Sequence, residues 1–276
     1  MSAPADAGPG GRAPTSGTGV RSAGRAEIEQ RTLRQDRWWL YPAVTFAVFL
    51  AFIVYASWRA FSGSDYYASP YLSPFYSPCL GDCVEGSSDF GQPFRWWPLS
   101  AALIVLIFPL GFRMSCYYYR KAYYRAFWLS PPACGVAEPH TKYTGERRFP
   151  LILNNLHRYF FYAAVVVALV LTFDAVRGFR DETGEWGHMG LGTLVLLANV
   201  VLIWAYTLGC HSCRHAVGGR LRHFSKHPLR YRAWTLVSKL NAHHARYAWL
   251  SLFSVALADL YVYLLATGAI SDVRFF

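Results

Sequence analysis

The chain is 276 residues long, 54% hydrophobic, 17% aromatic and only 16% charged, with a net charge of +11. Soluble globular proteins run nearer a quarter charged residues, so this composition, with its positive mean hydropathy, sets aside a soluble enzyme in favour of a membrane protein. Nor does the basic excess point to nucleic acid, because it is shared unevenly between loops, as membrane topology dictates.

Residues 1–37 are rich in Gly, Ala, Pro, Ser and Arg and nearly free of bulky apolar side chains. Such a segment buries too little surface to offset its ordering entropy, so a disordered cytoplasmic tail is expected. It lacks the apolar core of a cleavable signal peptide. Arg31, Arg34 and Arg37 then meet Trp38, Trp39 and Tyr41, an interfacial anchor ahead of a hydrophobic run.

Five runs approach or exceed the roughly 18–20 residues that cross a bilayer. They fall at about 40–61, 98–116, 158–176, 189–209 and 246–268. Pro109 lies inside the second and predicts a kink, since neighbouring helices can re-satisfy the freed carbonyl. The loops orient the runs. Residues 113–158 hold eight Lys/Arg against Glu138 and Glu146, and residues 210–246 hold eight against no acid. Residues 59–97 and 174–188 each hold two basic and four acidic residues. Cytoplasmic loops carry the basic excess. Residues 38–276 are therefore expected to form one all-α domain, a polytopic bundle of five transmembrane helices with the amino terminus cytoplasmic and the carboxy terminus outside.

The six cysteines divide between the two sides. Cys79 and Cys83 share an outer loop, where a disulfide is the expected state. Cys116, Cys134, Cys210 and Cys213 lie at or near the inner side, with His140, His157, His211, His215, His243 and His244. A reducing compartment makes such a cluster read as metal binding or redox chemistry. Cys210 and Cys213 face the same way on a helix, so both sulfurs can reach one iron or zinc ion. The plainer alternative is that Cys116 is a small apolar packing residue and that His223 and His227 face lipid headgroups.

Haem b is the less favoured cofactor, because only His188 lies on the outer side and no histidine is at mid-span. Four Cys/His ligands suit structural zinc, while two Cys and two His suit a Rieske-type [2Fe–2S] centre. Spacing alone does not choose between them.

Longer blocks carry a resemblance. Tyr117–Pro132 (YYYRKAYYRAFWLSPP) with Glu138-Pro-His140, Phe149–Leu153 with His157–Phe161, and Cys210–His215 followed by His223–Pro228 are similar to the five-helix, cytochrome-b-like anchor subunit of actinobacterial-type succinate dehydrogenase, over roughly residues 38–268. The resemblance implies a subunit of the respiratory chain in the plasma membrane that docks a flavoprotein and an iron–sulfur subunit and passes electrons from succinate to a membrane quinone, menaquinone or ubiquinone. It also implies a membrane-embedded Rieske-type [2Fe–2S] cluster in place of haem. Its ligands would be two cysteines from Cys116, Cys134, Cys210 and Cys213 with two histidines from His157, His215, His243 and His244. A higher oligomer is compatible with the same surface.

A quinone needs donors to its carbonyls and an aromatic wall. Trp128, Ser130, His140, Arg158 and Tyr159 offer these near the inner edge, although Trp128, Arg158 and Tyr159 serve equally as interfacial anchors. Asp259 lies deep in the fifth run, where a carboxylate is costly and marks a proton path or an outer quinone pocket, unless it is protonated and bonded for packing. The rival reading is a zinc-stabilised scaffold whose basic inner face binds anionic lipid or a soluble partner. A transporter is disfavoured, for no inverted repeat is visible and five crossings do not divide into matched halves.

Overall fold

The computed structural model describes residues 32, 34–80, 91, 96–97, 99–139 and 145–276. Four helices are long and apolar enough to cross a membrane, and a fifth span follows if one bent pair counts as a single crossing. In chain order, α1 is Leu40–Ser62, α2 Ala102–Val105, α3 Ile107–Ser115, α4 Tyr117–Tyr123, α5 His157–Arg177, α6 Leu191–Leu208, α7 His211–Gly218, α8 Pro228–Ala242 and α9 His244–Ala266. Tyr67–Ala68 (β1) and Tyr71–Leu72 (β2) form a small antiparallel hairpin between α1 and α2.

The apolar surface explains the class. Along α1, Val44, Leu50, Ile53, Val54 and Phe61 are exposed, and a continuous apolar face of this extent is covered in a bilayer. Inside, α6 packs on α9 and α5, and α5 packs on α3. The α3 and α5 backbones approach closely at Gly111, where an added Cβ would come within 2.3 Å of the Phe160 ring.

The second span departs from a single helix. It is interrupted at Leu106, close to where Pro109 has no N–H to give the Val105 carbonyl. It then breaks at Cys116, whose backbone is extended (φ −67°, ψ 132°), and the following helix turns away by 78°. Tyr124–Trp128 completes that second arm as a π-helical turn.

At the end carrying the acidic loops, the carboxy-terminal residues pair with the start of α6 through Met189 N–H to the Phe276 carbonyl (3.0 Å) and Leu191 N–H to the Val273 carbonyl (2.9 Å). Cys79 is buried there and disulfide-bonded, whereas Cys83 lies outside the described residues. So does most of the expected tail. Its last part is engaged: the Thr32 hydroxyl donates to the Gly135 carbonyl (2.8 Å) and Arg34 to the Cys134 carbonyl (3.0 Å).

Candidate metal centre at the basic end of the bundle

Four helix boundaries meet beneath the basic loops. Cys116 is the extended residue before α4, and Cys210 (φ −69°, ψ 146°) is the extended residue before α7. His157 and His244 are the first residues of α5 and α9. Each side chain therefore sits where backbone N–H groups lack helical partners and favour negative charge. The Cys210 sulfur accepts from the Ser212 N–H at 3.3 Å.

The groups meet in Cys–His pairs. His157 Nε2 lies 3.0 Å from Cys210 Sγ, and His244 Nε2 lies 3.5 Å from Cys116 Sγ. Both pairs line one cavity of about 110 Å³, together with Ser115 and Tyr118. The rings are held flat. His157 stacks on Phe112 (centroids 4.9 Å, planes 9° apart), and His244 stacks on Tyr206 (4.8 Å, 7°).

The tautomer of His157 follows from its neighbours. The Ser115 hydroxyl donates to the Gly111 carbonyl, so toward His157 Nδ1, 2.9 Å away, it acts as acceptor. Nδ1 then carries the proton and Nε2 presents its lone pair to Cys210, the orientation a metal-binding imidazole needs. His244 Nδ1 is buried with no hydrogen-bond partner, while Nε2 is the nitrogen that faces Cys116. Burial pushes the Cys210 thiol up to about 11. It is a neutral thiol at pH 7, and binding a cation would expel its proton.

Among the described residues no three of these sulfur and nitrogen atoms lie within 4.8 Å of one another. One tetrahedral ion at 2.0–2.3 Å from each ligand would draw all four closer. Each of the two separated pairs joins one thiol to one imidazole. A haem does not fit a cavity of about 110 Å³, well below the several hundred Å³ of ligand pockets.

The other sequence candidates lie elsewhere. Cys213 is buried in the apolar core, and burial pushes its thiol up, but it does not line the cavity. Cys134 is exposed in a loop, and His215 and His243 are exposed. Trp128, Arg158 and Tyr159 are exposed and Ser130 is half-buried. The Asn154 amide reaches the Tyr124 hydroxyl (3.5 Å), whose ring meets Trp128, so the second arm of the bent pair contacts the turn before α5. His140 lies outside the described residues. Asp259 is fully buried and bonded to Arg59, Tyr55 and Ser73. At the acidic end, Asp181, Glu185 and His188 also bring three ligand atoms within 4.8 Å, in a partly exposed turn.

Sequence reasoning missed Ser115, Phe112, Tyr206, Arg113 and Arg59. Arg59 and Arg113 had a signal, since a cation inside an apolar run calls for a partner, and for Arg59 the available one was Asp259. A second, apolar cavity of about 320 Å³ lies toward the middle of the bundle, with Phe112, Arg113, Tyr206 and Thr207 in its wall.

An α-helical bundle of apolar spans with thiols and imidazoles gathered at its basic end defines a polytopic membrane protein with a candidate metal centre. The family model for the actinobacterial succinate dehydrogenase subunit SdhC matches residues 40–268, and the chain belongs to that family. It is similar to a chain of the Mycobacterium smegmatis Sdh1 complex in the apo form, with 56% identity over 94% of this chain and 99% of that chain and a TM-score of 0.84. No curated protein matches. The protein is thus a multi-pass anchor subunit of succinate dehydrogenase in the cell membrane.

Proposed function

We propose that the chain crosses the membrane five times with its amino terminus in the cytoplasm and its carboxy terminus outside. Its basic end docks the flavoprotein and iron–sulfur subunits, as the similarity to a chain of the Sdh1 complex supports. Electrons from succinate pass through the docked subunit to this chain and on to a membrane quinone.

The carrying observation is the meeting of two cysteines and two histidines as pairs around one cavity. In kind and number that donor set, two thiols and two imidazoles, is the one a Rieske-type [2Fe–2S] centre uses, although each close pair here joins one thiol to one imidazole. Cys116, Cys210, His157 and His244 would hold it. Such a group supplies one-electron storage between partner and quinone. The protein fixes the rings by stacking and the tautomer by Ser115, and the α3–α4 break delivers Cys116 to the site. Arg158 and Ser130 offer donors to a quinone headgroup, as His140 does by residue type, and Trp128 and Tyr159 offer it an aromatic wall.

Analysis of the complex purified with its partners tests this reading. Iron and acid-labile sulfide beyond the content of the iron–sulfur subunit, with quinone-dependent oxidation of succinate, are expected. Zinc without extra sulfide would instead establish the scaffold reading.

A further inference from the structure

Arg113 lies near the end of α3, three residues before Cys116. Its guanidinium is held by neutral groups alone. One nitrogen donates to the Tyr119 hydroxyl, to Ser251 Oγ (3.1 Å) and to the Ala248 carbonyl (3.4 Å), and the other donates to the Ser251 carbonyl (3.2 Å). Among the described residues no carboxylate pairs with it. The contrast is Arg59, whose charge Asp259 cancels at 2.9 Å. Arg113 is also the charged residue in the wall of the apolar cavity. Arg113 is half-buried, and with no carboxylate against it its positive charge stays uncompensated inside the bundle.

The geometry shows where a compensating negative charge would arise. The guanidinium carbon stands 4.9 Å from the centre of the Tyr206 ring, and the same ring stacks on His244 at 4.8 Å. One aromatic side chain thus separates the cation from a proposed ligand. One-electron reduction of a two-iron centre adds one negative charge and makes or breaks no bond. The electron comes from the docked iron–sulfur subunit and leaves to quinone, so no other reactant is needed. Inside a bundle of low dielectric, a fixed cation at this range favours the reduced state, and net charge is among the determinants of an iron–sulfur potential.

We infer that Arg113 is a positioning residue of electrostatic kind: it holds the reduction potential of the centre up, acting through space past Tyr206. The inference rests on the two-iron reading above. It needs no contact between Arg113 and any metal ligand.

The test is a potentiometric titration of the purified complex, followed by electron paramagnetic resonance, on the unmodified protein and on Arg113→Gln and Arg113→Lys. Arg113→Gln is expected to keep its iron and sulfide yet shift the midpoint to lower potential and slow quinone reduction. Arg113→Lys, which keeps the charge, is expected to return the midpoint most of the way. Should Arg113→Gln fail to assemble, Ser251→Asp sets a carboxylate against the guanidinium and is expected to lower the midpoint in the same sense. An unchanged midpoint in a charge-removing or charge-cancelling variant that retains its iron overturns the inference. Absence of any two-iron signal in the unmodified complex overturns the function reading instead.

Discussion

Arg59 and Asp259 form an ion pair, Nε to Oδ2 at 2.9 Å, with both side chains wholly buried. Every remaining polar atom of the pair is engaged. Tyr55 and Ser73 donate to the carboxylate, while Arg59 also donates to Ser62 Oγ (3.2 Å), the Ser64 carbonyl (3.2 Å) and the Asp65 carbonyl (3.1 Å). The pair ties α1, α9 and the loop after α1 together. Removing one partner leaves the other as an unpaired buried charge, at a cost of about 3–5 kcal/mol. Asp259→Leu and Arg59→Met are each expected to lower the unfolding midpoint of the detergent-solubilised complex strongly, and the double variant less than their sum. Additive losses would show that the two do not act as a pair.

Ser115 sets the His157 tautomer without touching the cavity's thiols. Outer-shell partners of this kind typically change metal affinity by about 10–100-fold. Ser115→Ala is therefore expected to assemble normally but to lose iron faster when the complex is challenged with a chelator. Iron retention equal to the unmodified protein would remove Ser115 from the site's support.

Gly209 allows α9 to approach the end of α6. A Cβ there would meet the Ala205 carbonyl at 2.8 Å and His244 Nδ1 at 3.2 Å, and the Gly209 carbonyl accepts from Asn241 at 2.8 Å. Overpacking of this kind costs about 1–3 kcal/mol. Gly209→Val is expected to displace His244 and lower the occupancy of the centre, measured as iron per assembled complex, well below that of a surface control such as His243→Ala.

Much of this architecture was legible in the chain. The apolar runs at 40–61, 158–176, 189–209 and 246–268 became long helices because nothing inside them breaks the hydrogen-bond ladder. The run at 98–116 did not, because Pro109 lacks a donor and Cys116 adopts an extended backbone that no sequence pattern announces. Cysteine and histidine identity nominated the inner cluster, but Cys213, Cys134, His215 and His243 had the same composition signal as the four that line the cavity. What separated them was burial at a helix boundary, for His243 shares the boundary with His244 but is exposed. Cys210 and His244 sit where chain direction changes, while Cys213 lies one turn into α7 and faces the apolar core. The pairing of Arg59 with Asp259 spans 200 positions: the sequence marks each charge as out of place in an apolar run, and packing brings them together.

The selection of four ligands gives the sharpest contrast between variants. Cys134→Ser, His215→Ala and His243→Ala are expected to leave the iron content and the spectroscopic signal intact, since those side chains are exposed and do not line the cavity. Loss of the signal in any one of them would enlarge or replace the ligand set.

Electron paramagnetic resonance of the dithionite-reduced complex decides the matter. The unmodified protein is expected to give a Rieske-type [2Fe–2S] signal in addition to those of the iron–sulfur subunit, and His157→Ala and His244→Ala are each expected to abolish that signal alone. An unmodified complex that turns over succinate and quinone with no additional signal, or a signal that survives both substitutions, would contradict the assignment.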